Sequence, residues 1–85
     1  MKLHIYSVFD SVANTYGTPF FAISDALAAR SFGNLTLDPQ STVSLNPADF
    51  ALYKIGCFYD DNANGEFIQP PMLICRALEF IRSTS

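Results

Sequence analysis

The 85-residue sequence predicts an α+β fold, with a small antiparallel sheet of about four strands and one main helix. Three observations carry this. Runs of aromatic and β-branched residues are separated by Asp/Asn/Gly clusters, the pattern of strands joined by hairpins. One stretch between them places apolar residues at three- and four-residue steps behind an N-cap serine. The composition, 49% hydrophobic and 14% aromatic, suits one folded domain over residues 1–85.

Each element follows in order. Leu3, Ile5, Ser7 and Phe9 alternate with His4, Tyr6 and Val8, so residues 2–9 form a first strand with both faces largely apolar. The run DSVANTYG supplies turn residues, and TYGTPFFAI reads as a second strand that Pro19 confines to an edge. Ser24 is an N-cap with Asp25 in the first turn. Behind it, Leu27, Ala28, Ser31, Phe32 and Leu35 share a helical face, and the helix extends to about Leu37 before Asp38-Pro39 ends it. Residues 39–46 read as loop. Asn46-Pro47-Ala48-Asp49 has the cap, proline and acidic residue of a short helical turn.

FALYKIGCFYD is the third strand. Tyr53 and Ile55 share a face, and a bulge at Gly56 returns Phe58 to that side. The fourth strand covers Glu66 to Gln69. The end of the chain, PPMLICRALEFIRSTS, fits a helical stripe starting at Pro71 and also fits strand alternation over residues 71–82; the helix is the preferred reading.

Between the last two strands, Asp60, Asn62, Asn64 and Gly65 resemble half of a calcium loop. The twelfth position holds Pro71 where a bidentate Glu is required, and the flanks are strands rather than helices. A hairpin turn is therefore expected, with no metal, and Gly65 supplying positive φ.

Charged residues make up only 15% of the chain, against about 25% on average. So few charges leave apolar surface that another subunit or partner would cover, which predicts a homo-oligomer. The net charge of −3 gives no general attraction to nucleic acid or to anionic membranes. Cys57 and Cys75 lack metal-type spacing and read as free thiols. No signal-peptide core or membrane-length apolar run is present, so a soluble intracellular protein is expected. His4, the one histidine, has no nucleophile or metal partner encoded near it, and no phosphate loop or catalytic spacing occurs. The reading is of a non-enzyme without cofactor. The strand YKIGCFY departs from the base-stacking strand of RNA-recognition domains in its glycine and aromatic positions, so its aromatics are read as core.

Taken together, YSVFDS (Tyr6–Ser11), PFF (Pro19–Phe21), NPADFALYKIGCFYD (Asn46–Asp60) and Gly65 resemble, in order and spacing, the small nonstructural ORF5-type protein of gokushoviruses. These are tiny icosahedral single-stranded DNA bacteriophages of the Microviridae. The resemblance implies a non-enzymatic accessory factor of the host bacterial cytoplasm. Such a factor associates with the viral replication complex and favours the switch from double-stranded replication to single-stranded genome synthesis and packaging into procapsids. It carries no defined site residues across.

Only Lys2, Arg30, Lys54, Arg76 and Arg82 can neutralise phosphates, and eight carboxylates oppose them. Single-stranded DNA, bound partly by stacking, is therefore an easier ligand than duplex. The expected contacts are Lys2 and Lys54 on strands, Arg30 on the helix, and Tyr6, Tyr16 and Tyr59 for stacking. The other reading is an adaptor that binds replication proteins or the procapsid and touches DNA only indirectly.

Overall fold

The structure, a computed structural model, describes residues 1–81. Three long strands make its frame: β1 (Lys2–Asp10), β4 (Phe50–Tyr59) and β5 (Asn64–Arg76). Two short pieces, β2 (Thr15–Tyr16) and β3 (Phe20–Ala22), both pair antiparallel with the outer edge of β1. Across the sheet the order is β2/β3, β1, β4, β5, with every pairing antiparallel. The expected second strand is thus real but divided: Gly17 still donates to the Val8 carbonyl at 2.8 Å, and the break between the two pieces falls at Thr18-Pro19.

The main helix, α1, spans Asp25–Leu37 and is capped by Ser24, whose hydroxyl accepts from the Leu27 N–H. A cap of this kind contributes about 1 kcal/mol. The residues it buries are Ala28, Phe32, Gly33 and Thr36, while Leu27 and Leu35 remain exposed. The helix is therefore rotated relative to the stripe expected from its larger apolar residues. Small residues let it approach closely: a Cβ on Gly33 would meet the Phe80 ring at 2.7 Å. A short helix α2 (Thr42–Leu45) lies within the segment expected as loop, and a 3₁₀ turn at Pro47–Asp49 fulfils the Asn-Pro-Ala-Asp signature.

The C-terminal reading is corrected. Residues 71–76 continue β5, and among the described residues a 3₁₀ turn at Ala77–Glu79 follows. A strand satisfies its polar backbone on β4, and it places Cys75 opposite Leu52 in the core. The end of the notional helix, including Arg82, lies outside the described residues.

The hairpin turn at Asp60–Ala63 is as expected, but its special residue is not. No described glycine has positive φ; the left-handed residues are Asn14 and Ala63. Gly65 is needed because β4 passes close behind it: a Cβ there would meet the Cys57 carbonyl oxygen at 2.6 Å. In β4 the bulge falls on Ile55, one residue before Gly56, since Ile5 pairs with Gly56 and Tyr6 with Lys54. Its effect is the expected one, returning Tyr53 and Phe58 to one face.

The core is one-sided. Tyr6, Leu52 and Cys75 from the sheet meet Ala28 and Phe32 of α1, with Val43 and Ala77 closing the ends. The long strands run past this core, so the molecule measures 48 × 24 × 20 Å. Its radius of gyration, 13.4 Å, exceeds the roughly 12 Å of a compact chain this long.

Candidate nucleic-acid interface

Strand alternation divides the side chains between two faces. Even-numbered residues of β1 point toward α1, and odd-numbered ones point away. Register then sets the outward residues in rows. Phe21, Ile5, Gly56 and Phe67 lie across the sheet in one row, and Tyr16, Phe9, Ala51 and Arg76 in another. Ser7, Tyr53 and Leu73 lie between them, and Leu3, Phe58 and Gly65 lie beyond. No described helix covers these rows. Tyr16 is 45% exposed, Phe21 50%, Phe67 69% and Leu73 41%.

The rings on this open face touch each other. Phe9 and Tyr16 lie 4.7 Å apart between centroids, Tyr16 and Tyr53 5.8 Å, and Phe21 and Phe58 5.8 Å. Phe67 lies over Gly56, where an added Cβ would come within 3.2 Å of its ring. Among the described residues these rows hold no carboxylate, and Arg76 is their one cation.

The residues expected to bind nucleic acid are scattered. Tyr6 is fully buried, and its hydroxyl donates to the Asp25 carboxylate, so it offers no ring for stacking. Burial, and then that hydrogen bond, raise its phenol above the ordinary range. The Tyr6 hydrogen bond, together with Lys54, holds the Asp25 carboxyl below its usual value. Lys54 points to the helix side, with its ammonium 3.1 Å from Asp25, so its charge is already paired. Lys2 sits over the Tyr59 ring at 5.8 Å at the free end of the sheet, also on the helix side. Arg30 is exposed on α1. Of the six, Tyr16 alone belongs to the open face.

Phe21, Tyr53, Phe67 and Leu73 are the residues the sequence reading missed, and Arg76, counted there among the possible phosphate partners, stands outside the expected contacts. The outward parity of Phe9 and Tyr16, carried through the β4 bulge, leads to Tyr53 and Phe58. Phe67 falls within the expected fourth strand, but Leu73 and Arg76 stayed hidden while residues 71–82 read as a helix.

Elsewhere the chemistry is quiet. Cys57 and Cys75 are free and buried. Burial, and then the nearby Glu79 charge, push the Cys75 thiol up to about 11, so it stays protonated at neutral pH. Among the described residues no three His, Cys, Asp or Glu side chains gather to hold a metal, and no helix is long and apolar enough to cross a membrane. Asp60, at the tip of the calcium-like loop, accepts from the Met1 ammonium at 2.6 Å.

A family model described as phage ORF5 protein matches residues 3–80, nearly the whole chain. The chain belongs to the phage ORF5 protein family. No curated protein and no solved structure matches it. In this ORF5-family chain the matched span takes in β1 from Leu3 onward, the other described strands, α1, α2 and the rows of the open face.

Proposed function

We propose that this phage protein is a non-enzymatic accessory factor of a gokushovirus-type phage, acting in the host cytoplasm. Its role is to assist the switch from viral DNA replication to single-stranded genome synthesis and packaging, and its ligand is single-stranded DNA held on the open sheet face. One observation carries this reading: Tyr16, Phe21 and Phe67 present their rings to water on a face without carboxylates. Any base offers a π face, and stacking on such rings contributes about 1–3 kcal/mol per base. Duplex DNA hides those faces. With Arg76 as the one cation among the face's described residues, phosphate contacts add little, so binding is modest and only weakly salt-dependent, with a slope of about −0.7 per phosphate neutralised.

Anisotropy of labelled single- and double-stranded oligonucleotides at low and moderate salt tests this. The expected result is a preference for single strands, a shallow salt slope, and loss of binding in Tyr16→Ala and Phe67→Ala. The scarcity of cations on the face favours a second reading, an adaptor docking on a replication protein or the procapsid. Absence of measurable single-strand affinity at low salt leaves the adaptor reading in place.

A further inference from the structure

We infer that, in the absence of DNA, two copies of the chain pair through their open sheet faces, so that self-association and single-strand binding compete for the same rings. The competition rests on the proposed DNA reading; the pairing does not.

Area is the first argument. Aromatic side chains carry about 150–250 Å² each, so the exposed parts of Tyr16, Phe21, Phe67 and Leu73, with the half-buried Leu3, Ile5, Phe9, Tyr53 and Phe58, come to roughly 600 Å² per copy. Two copies then bury about 1,200 Å², above the roughly 1,000 Å² that a specific interface needs. This patch lies at the upper end of what a soluble monomer ordinarily leaves in water.

Charge is the second. Each copy carries −3 overall, so two copies repel through most of their surfaces. The open rows have no carboxylate, and Arg76 lies at their margin on the edge strand β5. A two-fold contact puts the same patch on both sides, and a patch without acids meets its own copy without repulsion. Open faces of antiparallel sheets pack on one another in this way, about 10 Å apart. A DNA strand on these rings would occupy the area the second copy needs.

Sedimentation velocity at micromolar concentration tests the pairing. The wild type should run at twice the 9.4 kDa chain mass. Phe67→Asp should weaken dimerisation at least about tenfold, as loss of an aromatic anchor does, with an unchanged circular dichroism spectrum. Leu27→Asp, at an exposed apolar position on α1, should leave the dimer intact. Added oligothymidylate should convert dimers into complexes containing one chain. A monomeric wild type overturns the inference. So does a dimer broken by Leu27→Asp and untouched by Phe67→Asp, or one that binds oligothymidylate while remaining whole through the same face. If the dimer obeys the two substitutions but oligothymidylate never binds, the paired face is supported and the DNA reading fails.

Discussion

The two faces of this sheet are made by the same strands from similar residues, and they end in opposite conditions. On one side Tyr6, Leu52 and Cys75 are sealed under α1. On the other, Tyr16, Phe21, Phe67 and Leu73 stay in water. Residue type does not separate them, since a tyrosine anchors the core and another tyrosine stands exposed. What separates them is the supply of covering elements. One 13-residue helix has enough area for half of one face of strands that run 9, 10 and 13 residues. The uncovered face is then available for a ligand or a second copy, while the covered face supplies the stability that holds the strands together.

The largest expected contrast comes from removing one ring on each side. Phe32→Ala should cost about 3–5 kcal/mol by urea denaturation, because it empties the centre of the core. Phe67→Ala, measured on dilute protein, should stay within about 0.5 kcal/mol of wild type. Equal costs would mean that the open face is packed.

Glycine positions sharpen the contrast at the level of the backbone. Gly56→Val would drive its Cβ to 2.5 Å from the Glu66 carbonyl oxygen, and Gly65→Val meets the Cys57 carbonyl. Each should destabilise by about 1–3 kcal/mol, since backbone on a paired strand yields little. A neutral Gly65→Val would show that β4 and β5 are not held in this register.

The join between helix and sheet titrates. Asp25 has a lowered pKa because the Tyr6 hydroxyl, and then Lys54, favour its ionised form. A carboxylate depressed on folding contributes stability that is full above its unfolded pKa of about 3.9. That contribution is lost as pH falls through the folded value. Tyr6→Phe should therefore reduce stability at neutral pH by about 1 kcal/mol, discounted for the half-exposed carboxylate. It should also flatten the acid limb of the stability profile. An unchanged acid limb would place Asp25 elsewhere. The smallest effect concerns the hairpin turn, where Ala63→Gly should raise stability by up to about 1 kcal/mol by relieving its left-handed φ.

Much of this fold is written in local signals. Ser24 and Asp38 bound the helix because capping chemistry is local, and the Asp60–Ala63 turn follows from its Asp and Asn residues. Ala63, rather than Gly65, takes the left-handed geometry because Gly65 is reserved for close passage of β4, a long-range demand that no turn motif reveals. The segment Pro71–Arg76 misleads for a similar reason. Its apolar residues fit either period, and pairing with β4 decides between them. The candidate site was the least legible part. Lys54 and Tyr6 read as free binding groups until the fold set both against Asp25, a residue 19 positions from Tyr6 and 29 from Lys54. Recognising the open face requires knowing which side the helix covers.

The most direct test of the account is a nuclear magnetic resonance dilution series followed by an oligothymidylate titration, with side-chain signals assigned on both faces. Signals of Tyr16, Phe21, Tyr53, Phe67 and Leu73 should move with protein concentration, and the same set should move again with oligonucleotide. Those of Leu27, Leu45 and Arg30 should hold still in both. Movement confined to the helix side, around Arg30, Lys2 and Tyr59, with the open-face rings unchanged, would contradict the assignment of the open sheet as the working surface.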